Sequence, residues 1–301
     1  MQRDNCSNGS QFSEALPIYK ASSAVLGLCF VLGVPGNIVV LGMLVRRVKE
    51  NSFTTCLLLS LAVSDLLSLL PLPVWIWAYL HGWIFGSAAC RIISYIEYWC
   101  LYCSALCVTL MSIQRYMQVL HPQKWAKLGD RGRKGLLAGI WILSGLLGLH
   151  APAKRRVGCK PNGLQDCGQQ FRNDEERVAI LLLEILLFVI CCSLLVFFYC
   201  RLHRGVNQSP FFSSSRMTKL VTRIVVVFFI VCVLVPIANM LIIIMVFHNN
   251  LTSLTVPANH LLKISRALTF LNSCVNPFLY TFSFSELRCP CAATEDTNRS
   301  D

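Results

Sequence analysis

The chain has 301 residues, of which 55% are hydrophobic and only 14% are charged, and its mean hydropathy is +0.58. An ordinary soluble domain carries roughly twice that share of charged residues, so the composition excludes a soluble protein and indicates a membrane protein. The net charge of +12 would suggest nucleic-acid binding in a soluble protein, but here most of it lies in short loops between apolar segments, where it favours contact with membrane lipids and leaves no nucleic-acid partner expected.

Seven apolar segments are each long enough to cross a bilayer as a helix, which takes about 20 residues at ~1.5 Å per residue. They lie at residues 21–45, 54–79, 89–120, 135–151, 177–200, 219–247 and 262–280, and the fourth is the shortest. We therefore predict an all-α membrane protein, a seven-transmembrane helix bundle. Residues 1–20 form the N-terminus, residues 21–281 the bundle, and residues 282–301 a short tail with an amphipathic eighth helix.

Basic residues concentrate in the first, third and fifth connections between these segments, which predicts that those connections are cytoplasmic. An odd number of spans then puts the N-terminus outside, so we predict a multi-pass protein of the plasma membrane. The outer side carries acceptor sequences for N-linked glycosylation at Asn5, Asn8 and Asn250. In the tail, Cys289 and Cys291 follow the amphipathic helix at the place expected for palmitoylation, with unmodified thiols as the alternative.

Four of the 16 cysteines lie in segments predicted to face the oxidising side: Cys6, Cys90, Cys159 and Cys167. A bridge from Cys90, at the outer start of the third span, would pin the next outer loop over the mouth of the bundle. Cys167 is the expected partner and Cys159 the alternative; Cys6 and Cys159 would then form a second bridge. Most other thiols lie inside spans, where a thiol behaves as a small buried hydrophobe.

Several polar residues lie in the middle of the predicted spans, where such groups are costly and usually functional. Asp65 sits about midway along the second span, and Asn37 lies in the first. The third and seventh spans carry the other such polar residues, Ser104, Asn272, Ser273 and Asn276. One carboxylate among oxygen ligands suits a small hard cation, but a hydrogen-bond network that only holds helices together uses the same residues. The residues alone leave both interpretations open.

Motifs along residues 20–290 resemble, in order and spacing, those of the rhodopsin-like G-protein-coupled receptors. They are Asn37, LAVSD at 61–65, Cys90, QRY at 114–116, Trp141, Pro236 and NPFLY at 276–280. The resemblance implies a receptor whose partner is a heterotrimeric G protein. It also implies that the cluster around Asp65 is similar to an allosteric sodium site; no other cofactor is expected. A transporter or membrane-embedded enzyme is disfavoured, because the chain has no repeated motif and no hydrolase or metalloprotease motif.

The third span ends on Gln114, Arg115 and Tyr116. In the resembled family this arginine, with tyrosines like Tyr199 and Tyr280, rearranges to admit the G protein; a charge that merely anchors the helix at the membrane surface is the alternative. Most such receptors have an acid in place of Gln114, and a neutral amide cannot form the ion pair that restrains the arginine. We therefore expect a weakly restrained Arg115 and raised basal activity.

Two further departures concern the relay from ligand to G protein. Leu234 stands where the sixth span usually has a tryptophan, and Cys191 stands where the fifth usually has a proline. We expect coupling through the packing of large aliphatic side chains instead. Few hydroxyl residues follow the amphipathic helix, so we expect weak binding of arrestin.

Candidate ligand-binding residues lie near the outer end of the bundle, since Glu97 precedes Arg115 by 18 residues, or ~27 Å of helix. They are Glu97, Tyr98, Tyr102, Glu184, Lys263 and Arg266. Glu97 and Arg266 either pair across the pocket, or Arg266 joins Lys263, His150 and the run Lys154-Arg155-Arg156 in a site for an anion. The aromatic residues Trp75, Trp77 and Trp99 would then enclose an apolar chain.

Within the family, the chain is most similar to leukotriene B4 receptors and their chemoattractant relatives. The resemblance rests on stretches such as GVPGN at 33–37, WIFGSAACR at 83–91 and FLNSCVNPFLY at 270–280. It implies an extracellular lipid ligand with a carboxylate and coupling to inhibitory-type G proteins. A peptide ligand is the alternative. An opsin is disfavoured because Phe270 occupies the position of the retinal-binding lysine.

Overall fold

The computed structural model describes residues 10–47, 53–159, 164–207, 216–248 and 255–285. This part of the chain forms eleven helices and one pair of strands. The helices are α1 (Ser10–Arg47), α2 (Phe53–Leu69), α3 (Leu72–His81), α4 (Gly86–Leu120), α5 (Pro122–Lys127), α6 (Gly129–Gly148), α7 (His150–Lys154), α8 (Asp174–Asn207), α9 (Arg216–Cys232), α10 (Leu234–Phe247) and α11 (Thr255–Ser285). The strands are β1 (Arg155–Cys159) and β2 (Gln165–Gln169).

Three of the seven spans consist of two successive helices: α2 with α3, α6 with α7, and α9 with α10. The second span breaks at Leu70 and Pro71, and the sixth breaks at Val233, three residues before Pro236. Proline explains both positions, because it has no N–H to donate and its ring clashes with the carbonyl of the residue four positions earlier. For Pro236 that residue is Cys232, the last residue of α9.

Six helical stretches in the described residues are long and apolar enough to cross a membrane. The seventh span, α11, has 31 residues, about 46 Å at 1.5 Å per residue, and it carries several polar residues into the bundle. Together these stretches form the predicted seven-helix bundle. The fourth span runs from Gly129 to Lys154, so it is longer than the predicted span at residues 135–151.

Within the described residues, the departure from an all-helical fold is a β-hairpin between α7 and α8, which the sequence analysis did not anticipate. Its strands pair antiparallel, with Val157 opposite Cys167. A disulfide joins Cys167 to Cys90 in the first turns of α4, and Cys159 is disulfide-bonded as well. We call this end of the bundle the hairpin end, and the opposite end of α4 the Arg115 end.

The described residues form three buried apolar clusters. One, around Leu181 and Ile242, joins α8, α10 and α11, and a polar layer lies between the other two. The cluster toward the Arg115 end includes Leu57, Leu61 and Met111, and the one toward the hairpin end includes Leu72 and Trp83. Asp65 lies between Leu61 and Leu72 on the second span and is completely buried. Apolar side chains therefore separate this carboxylate from the Arg115 end of the bundle.

The first and seventh spans approach each other closely through glycines of α1. A Cβ atom on Gly33 would come within 2.6 Å of Leu69 Cδ1 and 3.3 Å of Cys274 Cα, and one on Gly36 within 3.0 Å of Pro277 Cβ. Only glycine lets the backbones come this near. Asn37, one helical turn after Gly33, donates from Nδ2 to the Ser273 carbonyl at 3.0 Å.

Several predicted positions lie outside the described residues. They are Asn5, Asn8 and Asn250 for glycosylation, Cys6 for a disulfide, Cys289 and Cys291 for palmitoylation, and the amphipathic helix beyond Ser285. Tyr199 and Tyr280 belong to α8 and α11, but their side chains are likewise outside the description.

Candidate functional site

The buried carboxylate of Asp65 is hydrogen-bonded from two other spans. Its Oδ1 accepts from the Ser104 hydroxyl of α4 at 3.2 Å, and its Oδ2 accepts from Asn276 Nδ2 of α11 at 2.7 Å. The Ser68 hydroxyl donates to the Asp65 carbonyl at 2.8 Å and lies 3.4 Å from the Ser273 hydroxyl. The cluster thus connects the second, third and seventh spans.

Two oxygens of this cluster lack a partner. The side-chain oxygens of Asn272 and Asn276 are buried without a hydrogen bond, so both remain available as ligands. The described residues contain no group of three or more His, Cys, Asp and Glu side chains suited to a metal. One carboxylate with amide and hydroxyl oxygens is instead the donor set of a small hard cation.

A cavity opens between the spans at the hairpin end and extends down to the Asp65 cluster. The space between its lining side chains amounts to about 1180 Å³, including its open mouth. Its wall is mainly apolar, with contributions from Leu187, Phe188, Val235 and Phe270. Five of the six predicted ligand-binding residues line it: Glu97, Tyr98, Tyr102, Glu184 and Arg266.

Glu184 of α8 is the centre of the polar network in this cavity. Its side chain is only 7% exposed; Oε1 accepts from the Tyr98 hydroxyl at 3.0 Å and Oε2 from Asn239 Nδ2 at 2.8 Å. Arg266 Nη2 lies 4.0 Å from Oε2, and His150 Nε2 lies 3.8 Å from Oε1. A buried carboxylate requires such partners, so Glu184 ties the fifth span to the third, fourth, sixth and seventh.

Gln169 of β2 closes part of this network into a ring. Its Nε2 donates to the Tyr98 hydroxyl at 3.3 Å, and its Oε1 accepts from Arg266 Nη2 at 3.0 Å. Glu184, Tyr98, Gln169 and Arg266 are therefore linked in a closed circuit, which we call the polar ring. Three of its members come from membrane spans and one from the hairpin.

The suggested pair between Glu97 and Arg266 does not form. Glu97 Oε1 accepts from Trp75 Nε1 of α3, and the acid nearest to Arg266 is Glu184. The reason is the helical geometry of α4, in which consecutive side chains point about 100° apart. Tyr98 therefore faces Glu184, whereas Glu97 faces α3.

Arg155 of the hairpin covers the same part of the cavity as Glu97. Its guanidinium carbon lies 5.5 Å from the centre of the Trp75 ring, and Nη1 donates to the Cys167 carbonyl at 2.9 Å. Its side chain is thus fixed by the hairpin that carries it.

Other predicted pocket residues lie elsewhere. Lys263 contacts the Tyr19 hydroxyl of α1 and lies 4.2 Å from the centre of that ring, outside the cavity wall. Lys154 pairs with Glu176 at the start of α8. Most of the expected positive charge therefore already has a partner, and Arg266 is the cation that the seventh span presents to the cavity.

The three predicted tryptophans are also absent from the lining, and Trp75 instead donates to Glu97. Trp77 is 45% exposed and stacks on His81, while Trp99 donates to the Trp141 carbonyl at 3.0 Å. Tyr98 and Tyr102 supply the aromatic surface of the cavity instead.

At the Arg115 end, the arginine contacts neutral partners. Nη1 donates to Gln118 Oε1 at 3.2 Å and Nη2 to Thr54 Oγ1 at 3.4 Å, while Gln114 Nε2 donates to the same hydroxyl at 2.7 Å. Among the described side chains, no acid lies within ion-pair distance of Arg115. Tyr116 contacts His121. Thr54 is thus the shared acceptor that holds two residues of the QRY motif.

The sequence analysis missed several residues of these networks, among them Asn239, Gln169 and Thr54. Asn239 carried a signal, because an amide inside the apolar run VPIANMLIII is costly unless bonded. Gln169 follows Cys167 by two residues, so it points to the same face of its strand. Nothing in the local sequence marked Thr54.

Comparison with known proteins agrees with this architecture. Residues 36–280 match the family described as 7 transmembrane receptor (rhodopsin family). The chain is 31% identical over 331 residues to mouse somatostatin receptor type 2, with 98% of this chain and 85% of that receptor covered. It is 29% identical over 263 residues to human leukotriene B4 receptor 1, with 85% and 74% covered.

A viral relative, G-protein coupled receptor E1 of equine herpesvirus 2, is 27% identical over 304 residues, with 92% of this chain and 76% of the relative covered. The family match spans most of the chain and falls on a bundle whose buried polar residues lie at that family's motifs. The protein belongs to the rhodopsin family of seven-transmembrane receptors, the G-protein-coupled receptors, and is a multi-pass membrane receptor rather than an enzyme.

Proposed function

We propose that this receptor binds a lipid that carries a carboxylate, of the leukotriene B4 class, in the cavity at the hairpin end. The observation that carries the proposal is Arg266, a cation that faces a mainly apolar cavity. A guanidinium binds a carboxylate through two parallel hydrogen bonds, and the apolar wall suits a hydrocarbon chain. The likeness to human leukotriene B4 receptor 1 supports the same ligand class.

The proposed orientation puts the hairpin end outside the cell and the Arg115 end in the cytoplasm of a plasma-membrane receptor. The basic connections between spans support this orientation. The proposed partner at the Arg115 end is an inhibitory-type heterotrimeric G protein, contacted by Arg115, Tyr116, Tyr199 and Tyr280. Arrestin is a further proposed partner, expected to bind weakly at the same end.

Ligand binding would reach the sixth span through Glu184. A ligand carboxylate on Arg266 competes with Glu184 for that cation, and Glu184 also accepts a hydrogen bond from Asn239 of α10. A change at Glu184 therefore acts directly on α10, which joins α9 at the break beside Pro236. Only a ligand that binds one arrangement better than the other shifts the equilibrium.

The test of the ligand is a panel of leukotriene B4, its methyl ester and chemoattractant peptides, scored by nucleotide exchange on an inhibitory-type Gα subunit. Arg266→Gln should lower the potency of leukotriene B4 at least about tenfold, because a hydrogen bond to a charged group contributes ~1.5–3 kcal/mol. Arg156→Gln is the matched control, since Arg156 lies exposed on β1. Equal potency at the two variants would contradict the proposal.

A peptide ligand is the second candidate. Glu97 and Glu184 both line the cavity, and a basic peptide side chain would pair with either carboxylate. Relatives of the chain include receptors named for chemokines, apelin and somatostatin. A response to peptides that is lost in Glu97→Gln and retained in Arg266→Gln would favour this candidate.

We further propose that the Asp65 cluster holds a sodium ion. Asp65, Ser104, Asn272, Ser273 and Asn276 would supply the oxygens, and the unpaired amide oxygens of the two asparagines fit that role. The ion would supply positive charge beside a carboxylate that is otherwise buried without a cationic partner among the described residues.

A further inference from the structure

We propose that Gln169 is a specificity-determining residue of the ligand cavity: its neutral amide positions Arg266 and Tyr98 without cancelling the charge of Arg266, so that the cavity selects an anionic ligand. The selectivity rests on the carboxylate ligand proposed above. The positioning role rests on the polar ring alone.

The direction of the hydrogen bonds in the ring fixes the kind of side chain that fits at position 169. A guanidinium only donates and a carboxylate only accepts. The Tyr98 hydroxyl therefore donates its proton to Glu184 and must accept from Gln169, while Gln169 must accept from Arg266. Only a side chain that both accepts and donates completes the circuit, which an amide does and an acid or a lysine does not.

The charges in the ring explain why neutrality at position 169 matters. Arg266 Nη2 lies 4.0 Å from Glu184 Oε2, which is an ion-pair contact but too long for a hydrogen bond. Glu184 uses its oxygens to accept from Tyr98 and Asn239 instead. The guanidinium thus keeps donors for a ligand. A second carboxylate at position 169 would take those donors and cancel the charge.

The hairpin is built to hold Gln169 in place. Cys167, two residues earlier on the same face of β2, is bonded to Cys90 of α4. Backbone bonds secure the strand on both sides: Trp83 N donates to the Gln165 carbonyl at 2.8 Å, and Gln170 N donates to the Lys154 carbonyl at 2.9 Å. Gln169 is therefore held in place behind two residues of the cavity wall, Tyr98 and Arg266, and its hydrogen bonds to them require no loop rearrangement.

The first test needs no ligand. Backbone hydrogen exchange around Arg266, over residues 262–270 of α11, is compared between wild type, Gln169→Ala and Gln165→Ala in the purified full-length receptor. Gln165 is the matched control, because it is an exposed glutamine of the same strand. Faster exchange in Gln169→Ala alone is expected. Equal exchange in both variants would overturn the positioning role.

The second test measures selectivity with leukotriene B4 and its methyl ester as probes. Gln169→Glu should lower the potency of the acid by about tenfold or more and leave that of the ester nearly unchanged. Gln165→Glu adds the same charge at the exposed position and should alter neither. Equal losses for acid and ester, or no loss for the acid, would overturn the selectivity. A wild-type receptor that ignores leukotriene B4 overturns the proposed ligand and this selectivity, while the exchange result still decides the positioning role.

Discussion

Substitution of Gln114 by Asp is expected to lower the ligand-independent activity of the receptor. In the structure Gln114 and Arg115 share the neutral acceptor Thr54, so no charge opposes the guanidinium. An aspartate at position 114 would supply that charge next to Arg115. Activation must then break an ion pair as well as the neutral hydrogen bonds.

The size of the effect follows from the difference between neutral and charged hydrogen bonds. A neutral bond contributes ~0.5–1.5 kcal/mol and one to a charged group ~1.5–3 kcal/mol. The resting state of Gln114→Asp should therefore gain about 1 kcal/mol, which lowers the ratio of active to resting receptor about fivefold.

The assay is GDP release from an inhibitory-type Gα subunit by ligand-free receptor at matched concentrations. Gln114→Asn is the matched control, because asparagine has the size of aspartate without its charge. Thr54→Val removes the shared acceptor and should raise basal GDP release. Thr54→Ser keeps a hydroxyl acceptor and should release GDP at the wild-type rate. If the Asp and Asn variants release GDP at the same rate, the absence of an acid does not set basal activity.

Three further predictions concern the rest of the bundle. Asp65→Asn should abolish the difference in agonist binding between sodium and potassium buffers; a difference that persists would place the ion elsewhere. Gly33→Ala should lower the thermal midpoint, because its Cβ would meet Leu69 Cδ1 at 2.6 Å and such overpacking costs ~1–3 kcal/mol, whereas Gly42→Ala, with nothing within 4 Å, should not. Cys90→Ala should lower the free energy of unfolding by ~2–4 kcal/mol and speed hydrogen exchange in the hairpin. Unchanged exchange would mean that backbone hydrogen bonds alone hold the hairpin.

The sequence was sufficient to predict the bundle because the physical signals were local. Each span needs a long apolar run, and six of these runs recur in the structure as apolar helical stretches. The members of the Asp65 cluster could also be identified from the sequence, since a carboxylate in such a run demands polar partners from other spans. The breaks near Pro71 and Pro236 also have a local cause.

The polar ring was harder to predict from the sequence, because it depends on the directions in which side chains of different helices point. Spacing along α4 placed Glu97 at the correct depth, but depth does not determine which neighbour a side chain faces. Whether Arg266 would meet Glu97 or Glu184 was decided by helix rotation. The β-hairpin was missed because its strands are short and polar, without the alternation of apolar residues that marks a strand.

The glycine contacts between α1 and α11 mean that these two helices behave as one mechanical unit. Their backbones meet at Gly33 and Gly36, and Asn37 fastens them by a hydrogen bond, so sliding one past the other would force atoms together. Among the described residues, α1 contributes none to the cavity wall. A fluorescent reporter on α1 would nevertheless register any displacement of the NPFLY segment, and would do so without disturbing either the ligand or the G protein.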